Sequence, residues 1–159
     1  MNPALAARAM LLASWPVQMT AWVAPGADAV STATPLAILG GDAVGAVPTL
    51  FDLFIGNIGG CIGETSALAL ILGGLYLVYR KVISPKIPLI YIGTVAVLTF
   101  AYTMFNGGPD LLFVAQQLLS GGLMIGAIFM ATDYASTPMT PKGHIIFALG
   151  CGIITSVIR

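Results

Sequence analysis

Two stretches of this chain carry residue types and spacings suited to chemistry. The first is Asp28-Ala-Val-Ser31-Thr32-Ala33-Thr34-Pro35, which sets four hydroxyl- or carboxyl-bearing side chains within seven positions between strongly apolar segments. A membrane-buried helix avoids that density, because unsatisfied polar groups are costly in hydrocarbon. A plain surface turn more often carries Gly, Asn or Lys. The run therefore presents small hydroxyls on an accessible loop near a membrane surface, and on spacing alone a polar loop with Ser/Thr turns accounts for it. The second stretch is Gly56-Asn-Ile-Gly-Gly-Cys-Ile-Gly63-Glu64-Thr65-Ser66. Its glycines unravel a helix, and a fresh helix starting near Glu64 would offer free backbone N–H groups beside the Thr65 and Ser66 hydroxyls. Such an end suits an anion or a ligand carbonyl. Glu64 itself, an acid at the mouth of a membrane helix, reads as an ion or proton site, a cofactor contact, or a helix cap. A dinucleotide fingerprint ending at Gly63 is excluded, because Ile58 stands where a glycine is required.

The elements that must position these residues are membrane helices. The chain is 58% hydrophobic and 8% charged, with a mean hydropathy of +0.98, whereas a water-soluble domain carries about 25% charged residues. A net charge of zero with a single His gives nucleic acid no electrostatic support. Cys61 and Cys151 form no CxxC motif and no ligand cluster, so no disulfide or metal site is expected. Met1-Asn-Pro followed by a lone Arg8 does not read as a cleaved leader.

Apolar runs predict spans at Ala4 to Ala24, Gly63 to Tyr79, Ile87 to Phe105, Leu111 to Met130, and His144 to Ile158. The complete ones approach the ~20 residues that cross a bilayer core. Pro16 interrupts the first, and the last falls short, so the reading expects a piece of a longer protein. Leu50 to Ile55 is too short to span and reads as a re-entrant half-helix ending in the glycine-rich turn. The expected fold is thus all-α, about five spans plus one broken element, in a single membrane domain over 1–159. A loop over 25–47 carries the hydroxyl run, and the broken helix occupies 48–66.

Orientation follows from the basic residues. Arg80, Lys81 and Lys86 share one loop, Lys142 lies in another two spans later, and Arg8 opens the first span. Placing all of them in the cytoplasm is consistent with alternating spans. The segment from Pro25 to Tyr79 has no Lys or Arg, which puts Thr34 on the outer face. Gly73-Gly74 and Gly121-Gly122 inside spans read as close helix packing. Gln116 and Gln117 read as interhelical hydrogen-bonding residues. His144 reads as interfacial, and Asp133 as a helix-ending cap or a cation-path or cofactor residue.

Four blocks, in order, then give the chain a family resemblance. Asp28-x-x-Ser31-x-Ala33-Thr34 resembles the flavinylation motif of the D subunit of Rnf complexes and of the related B subunit of sodium-pumping NADH:quinone oxidoreductases. Gly56 through Leu70, followed by Gly-Gly-Leu-Tyr-Leu-Val-Tyr-Arg-Lys-Val-Ile-Ser84, is similar to the Rnf D subunit, as are Phe129 through Gly143 and Arg8 through Thr20. The tract after Arg80 favours the Rnf protein over its quinone-reducing cousin. One departure stands out: Thr32 occupies a position where many members carry Gly, which adds a second candidate hydroxyl.

The resemblance implies a protein about twice this length, built from two five-helix repeats of inverted topology, of which this chain matches the C-terminal half. It implies FMN joined to Thr34 through a phosphoester by a separate flavin transferase that reads Asp28, Ser31 and Ala33. It also implies a non-covalent riboflavin, with contacts placed around Gly63, Glu64 and Thr65. The function implied is electron relay between ferredoxin and NAD⁺ coupled to Na⁺ or H⁺ transport, in a bacterial inner membrane, beside the other membrane and peripheral Rnf subunits and membrane lipid. A channel or secondary transporter is the alternative, since broken helices are a transporter trait. The hydroxyl run discriminates, because a channel has no need of it.

Overall fold

Helix ends along this chain are set by small polar caps, prolines and glycines. The computed structural model describes residues 2–22, 34–41, 47–60 and 66–159. Among them all regular structure is helical, as expected of an all-α membrane protein.

Helix α1 spans Pro3–Ser14, its first turn capped by the Asn2 side chain, which accepts from the N–H groups of Ala4 and Leu5. It stops at Trp15 because Pro16 disfavours helical backbone in the preceding residue, and Trp15 sits at φ −134°, ψ 64°. Pro16 then opens α2, Pro16–Thr20. The expected first span is therefore two pieces. The 12 residues of α1 reach about 18 Å, short of a ~30 Å hydrocarbon core.

Two short helices follow. Thr34 caps α3, Pro35–Leu39, with Pro35 at the first helical position, where its missing N–H costs nothing. Thr49 caps α4, Leu50–Ile55: its Oγ1 accepts from the Asp52 N–H at 3.3 Å and donates to Asp52 Oδ2 at 2.6 Å. Gly56 ends α4 at φ 108°, a conformation that only glycine adopts cheaply. The bounds of α4 are those the sequence predicts.

Ser66 caps α5, Ala67–Tyr79. This helix closes in a double turn in which Val82 N–H donates to Leu77 C=O and Lys81 N–H to Val78 C=O. Lys81 sits at φ 57° in the position usually held by glycine. Helix α6, Lys86–Asn106, and helix α9, Pro141–Ile158, are both long and apolar enough to cross a membrane. Between them lie α7, Leu111–Leu119, capped by Asp110, and α8, Leu123–Ile125, which continues as a wider π-helical turn over Gly126–Met130. The two arms of this third candidate span are bent by 66°.

Helices α6 and α9 run parallel. Ile87 clusters with Ala148, the Tyr91 hydroxyl meets Thr155 Oγ1 at 2.7 Å, and Gly152 faces Thr94. Both helices therefore start at one end of the bundle, as an antiparallel segment between them requires. Tyr134 Oη donates to the Val82 carbonyl, and Asn2 Nδ2 to the Met130 carbonyl. The 80–86 loop, the 131–140 loop and the start of α1 thus share that end. This brings together Arg80, Lys81, Lys86 and Lys142, the basic residues that the charge pattern assigns to one face. Only 17% of the α6 window and 11% of the α9 window are buried in the chain itself. That leaves a broad apolar surface exposed on these two helices.

The glycine pairs divide. A Cβ on Gly74 would lie 2.6 Å from Ile128 Cγ2, and one on Gly73 3.3 Å from Phe129 Cζ. These two serve close packing of α5 against the wide turn, as read from sequence. Gly121 does both: it adopts φ +66° in the break between α7 and α8, and a Cβ there would crowd Leu36 and Arg159. The close packing read from sequence holds at Gly121, and what is corrected is its place, at a break in the span rather than in a helix interior.

Candidate functional site

Thr34 and Pro35, at the end of the hydroxyl run, meet Ile58 and Gly59 of the glycine-rich break at one cavity. A hollow of about 270 Å³ is lined by Thr34, Pro35 and Leu36, by Ile58 and Gly59 from the turn after α4, and by Arg8 of α1. Thr20, Trp22 and Gly121 complete the polar and glycine parts of its wall. Thr34 is half-buried, and its Oγ1 accepts the Ala37 N–H at a long 3.4 Å. Capping is thus a weak claim on this oxygen, which is consistent with a second use.

Arg8 and Leu12 both line the hollow, one helical turn apart on the same face of α1. The cavity also reaches the bend in the third span through Gly121. A Cβ there would lie 3.0 Å from Leu36 Cδ2 and 3.1 Å from Arg159 Nη2, so the left-handed glycine lets α3 close against the bend. Sequence reasoning assigns Arg8 to the basic face and Thr34 to the opposite one; in the structure they line the same hollow, beside a break inside a span.

Arg159 holds that break. Its Nη1 donates to the Gln117 carbonyl and, at 3.5 Å, to Gln117 Oε1, while Nη2 donates to the Ser120 carbonyl at 3.0 Å. Once α7 stops, its last carbonyls have no helical donor, and Ser120 is fully buried. Leaving buried acceptors unpaired costs roughly 1–3 kcal/mol each. Arg159→Ala is accordingly expected to lower stability by at least about 2 kcal/mol, with Arg159→Lys recovering part of it. Thermal melting of the detergent-solubilised protein checks this, and an alanine variant that melts like wild type would show that water satisfies the carbonyls. Gln117 is buried and hydrogen-bonds to a distant residue, as the sequence suggests. Beyond Arg159 a second hollow of about 460 Å³ reaches Leu39 at the other end of α3.

The remaining sequence candidates fall as follows. Asp28, Ser31, Thr32, Ala33, Gly63, Glu64, Thr65 and Cys61 lie outside the described residues. Asp133 organises the turn after the wide helical segment: its carbonyl accepts from Thr137 N–H and Oγ1, and its carboxylate from Ser136 Oγ at 3.4 Å. His144 is half-buried in the first turn of α9. Arg8 and Arg159 are the residues that sequence reasoning missed as site components. The available signal was a basic residue set against an apolar helix interior, which calls for a named partner.

The family model described as NQR2, RnfD, RnfE matches residues 1–159. The chain belongs to this family. Within the NQR2, RnfD, RnfE family it is 55% identical over 161 residues to the D subunit of the Na⁺-translocating ferredoxin:NAD⁺ oxidoreductase complex of Acetobacterium woodii, covering 99% of this chain and 48% of that protein. It is 48% identical over 172 residues to the D subunit of the proton-translocating ferredoxin:NAD⁺ oxidoreductase complex of Clostridium ljungdahlii, covering 99% of this chain and 51% of that protein. Identity falls to 36% over 168 residues with the B subunit of the Na⁺-translocating NADH-quinone reductase of Stutzerimonas stutzeri, covering all of this chain and 41% of that protein. The chain spans about half the length of these relatives. Higher identity to the two ferredoxin:NAD⁺ oxidoreductase proteins agrees with the preference read from the tract after Arg80.

Proposed function

We infer that this chain is the flavin-carrying half of a membrane subunit in an ion-translocating ferredoxin:NAD⁺ oxidoreductase. The observation that carries this reading is a threonine hydroxyl, in the run Asp28-x-x-Ser31-x-Ala33-Thr34, that lines a hollow containing a guanidinium and an indole. Thr34 Oγ1 would hold FMN as a phosphoester made by a separate flavin transferase from a flavin dinucleotide: the new O–P bond forms as the donor's phosphoanhydride breaks, and the nucleoside monophosphate leaves with the hydroxyl proton. When bound, the flavin supplies the redox chemistry, taking electrons from one partner and passing them to the next.

The chain's own residues supply position. Pro35 and the cap fix the backbone at Thr34, and Gly121 lets α3 lie close to the bent span. At about 270 Å³ the hollow lies below the ~300 Å³ of small ligand pockets. It suits the phosphate and the adjoining ribityl carbons, with the ring lying beyond. Gly63, Glu64 and Thr65 belong to the same reading as contacts of a second, non-covalent riboflavin. Their neighbours Ile58 and Gly59 already line the Thr34 hollow. The short helix α4 and its glycine turn would be re-entrant, and the chain one of two inverted repeats. Na⁺ or H⁺ would be the coupled ion. One of the two relatives is named for Na⁺ and the other for protons, at 55% and 48% identity to this chain, so either ion fits the reading.

Fluorescence of the chain on a denaturing gel, after production with and without a flavin transferase, tests the reading. A flavin band only with the transferase is expected, and no band in either preparation would overturn it. The proposed orientation, in the bacterial inner membrane with Thr34 outside and the 80–86 loop inside, has its own test. Single-cysteine variants at Ala29 and Ser84, with Cys61 and Cys151 replaced, are treated with an impermeant reagent in cells whose outer membrane is permeable to it. Labelling at Ala29 alone is expected; labelling at Ser84 alone would reverse the topology.

A further inference from the structure

We propose that Arg8 is the counter-charge that seats the phosphoester on Thr34, a role that rests on the flavin reading above. Arg8 and Thr34 line the same hollow, and Arg8 is the single charged side chain among its described lining residues. A phosphodiester keeps one negative charge at any physiological pH. A guanidinium is the side chain best matched to it, because its planar fork donates two parallel N–H···O bonds.

The position of Arg8 supports the same assignment. It is the only charged residue in the twelve of α1, so this helix presents its one positive charge on the face that lines the hollow. Leu12, one turn further on, closes the apolar side of the same hollow. Flavinylation thus brings a fixed negative charge beside a fixed positive one in a medium where opposite charges attract far more strongly than in water. The phosphoester would hold α1 to α3, and the attached cofactor would stabilise the fold that carries it.

Thermal melting of the solubilised full-length protein, produced with and without a flavin transferase, measures that coupling. In wild type, flavinylation is expected to raise the melting temperature by several degrees. In Arg8→Gln and in Arg8→Leu, the latter an ordinary residue for an apolar helix, the rise should vanish or reverse. Arg8→Lys should keep part of it. Denaturing gels on the same samples report whether flavin is attached, so the two claims separate. Flavin that survives Thr34→Val overturns the attachment reading. Flavin lost in Thr34→Val, with an equal melting shift in wild type and both neutral Arg8 variants, overturns the role of Arg8 alone. Failure of both neutral variants to accumulate even without the transferase would make Arg8 a folding residue and also overturn the proposal.

Discussion

Replacing Thr34 by valine will remove all denaturant-resistant flavin fluorescence from the chain while leaving it in the membrane. Valine matches threonine in shape and lacks the oxygen that would carry the phosphoester, so covalent attachment is lost outright. The collateral cost is small. Thr34 caps a helix of five residues through a single 3.4 Å hydrogen bond, and losing such a cap costs about 1 kcal/mol. The paired helices α6 and α9, which dominate the bundle, lie elsewhere in the chain. Thr32→Val is the matched control, because the family motif does not use that position. Fluorescence kept in Thr34→Val and lost in Thr32→Val would move the attachment site by two residues.

The second large effect is structural. Gly152→Val should leave little stable protein, because α6 and α9 meet closely at this glycine. A Cβ at position 152 would lie 2.7 Å from Thr94 Cβ, 2.9 Å from Thr94 Cγ2 and 3.3 Å from the Tyr91 carbonyl oxygen. A β-branched residue cannot move its Cβ by changing rotamer, and a helical carbonyl cannot turn aside. The helices must separate, which also strains the Tyr91–Thr155 hydrogen bond. Overpacking of this kind costs roughly 1–3 kcal/mol, and the larger figure applies where backbone is in the way. Gly150 on the same helix has open space where its Cβ would be. Gly150→Ala should therefore be neutral or stabilising by up to about 1 kcal/mol. Size-exclusion profiles and melting curves of the two variants in detergent compare them directly. Equal behaviour would contradict the close α6–α9 contact.

Local features of the fold were readable along the chain because short-range chemistry sets them. Pro16 marks the break in the first span, Thr49 and Gly56 bracket α4, and the basic loops around Arg80 and Lys142 share an end. Gly121 was only half read, because composition does not separate a glycine that packs from one that also turns. Gly74 has Ile128 against it, and Gly121 has both Leu36 against it and a left-handed backbone, a difference only the folded chain shows. The site was half legible. Thr34 and the glycine-rich break were visible as separate motifs; their meeting at one hollow was not, since it depends on how α1, α3 and the bent span pack. Arg8 read as a marker of membrane orientation, and Arg159 fell just outside the last span read, His144 to Ile158. Their actual neighbours lie in distant segments: the Thr34 hollow for Arg8, and the carbonyls of Gln117 and Ser120 for Arg159.

Mass spectrometry of the segment that holds the hydroxyl run tests the central claim most directly. Chymotryptic cleavage after Trp22 and Leu36 releases residues 23–36 with Ser31, Thr32 and Thr34 on one peptide. From protein made with an active flavin transferase, this peptide should be heavier by FMN less one water, with fragment ions placing the addition on Thr34. An unmodified peptide from that preparation, or an addition on Ser31 or Thr32, would contradict it.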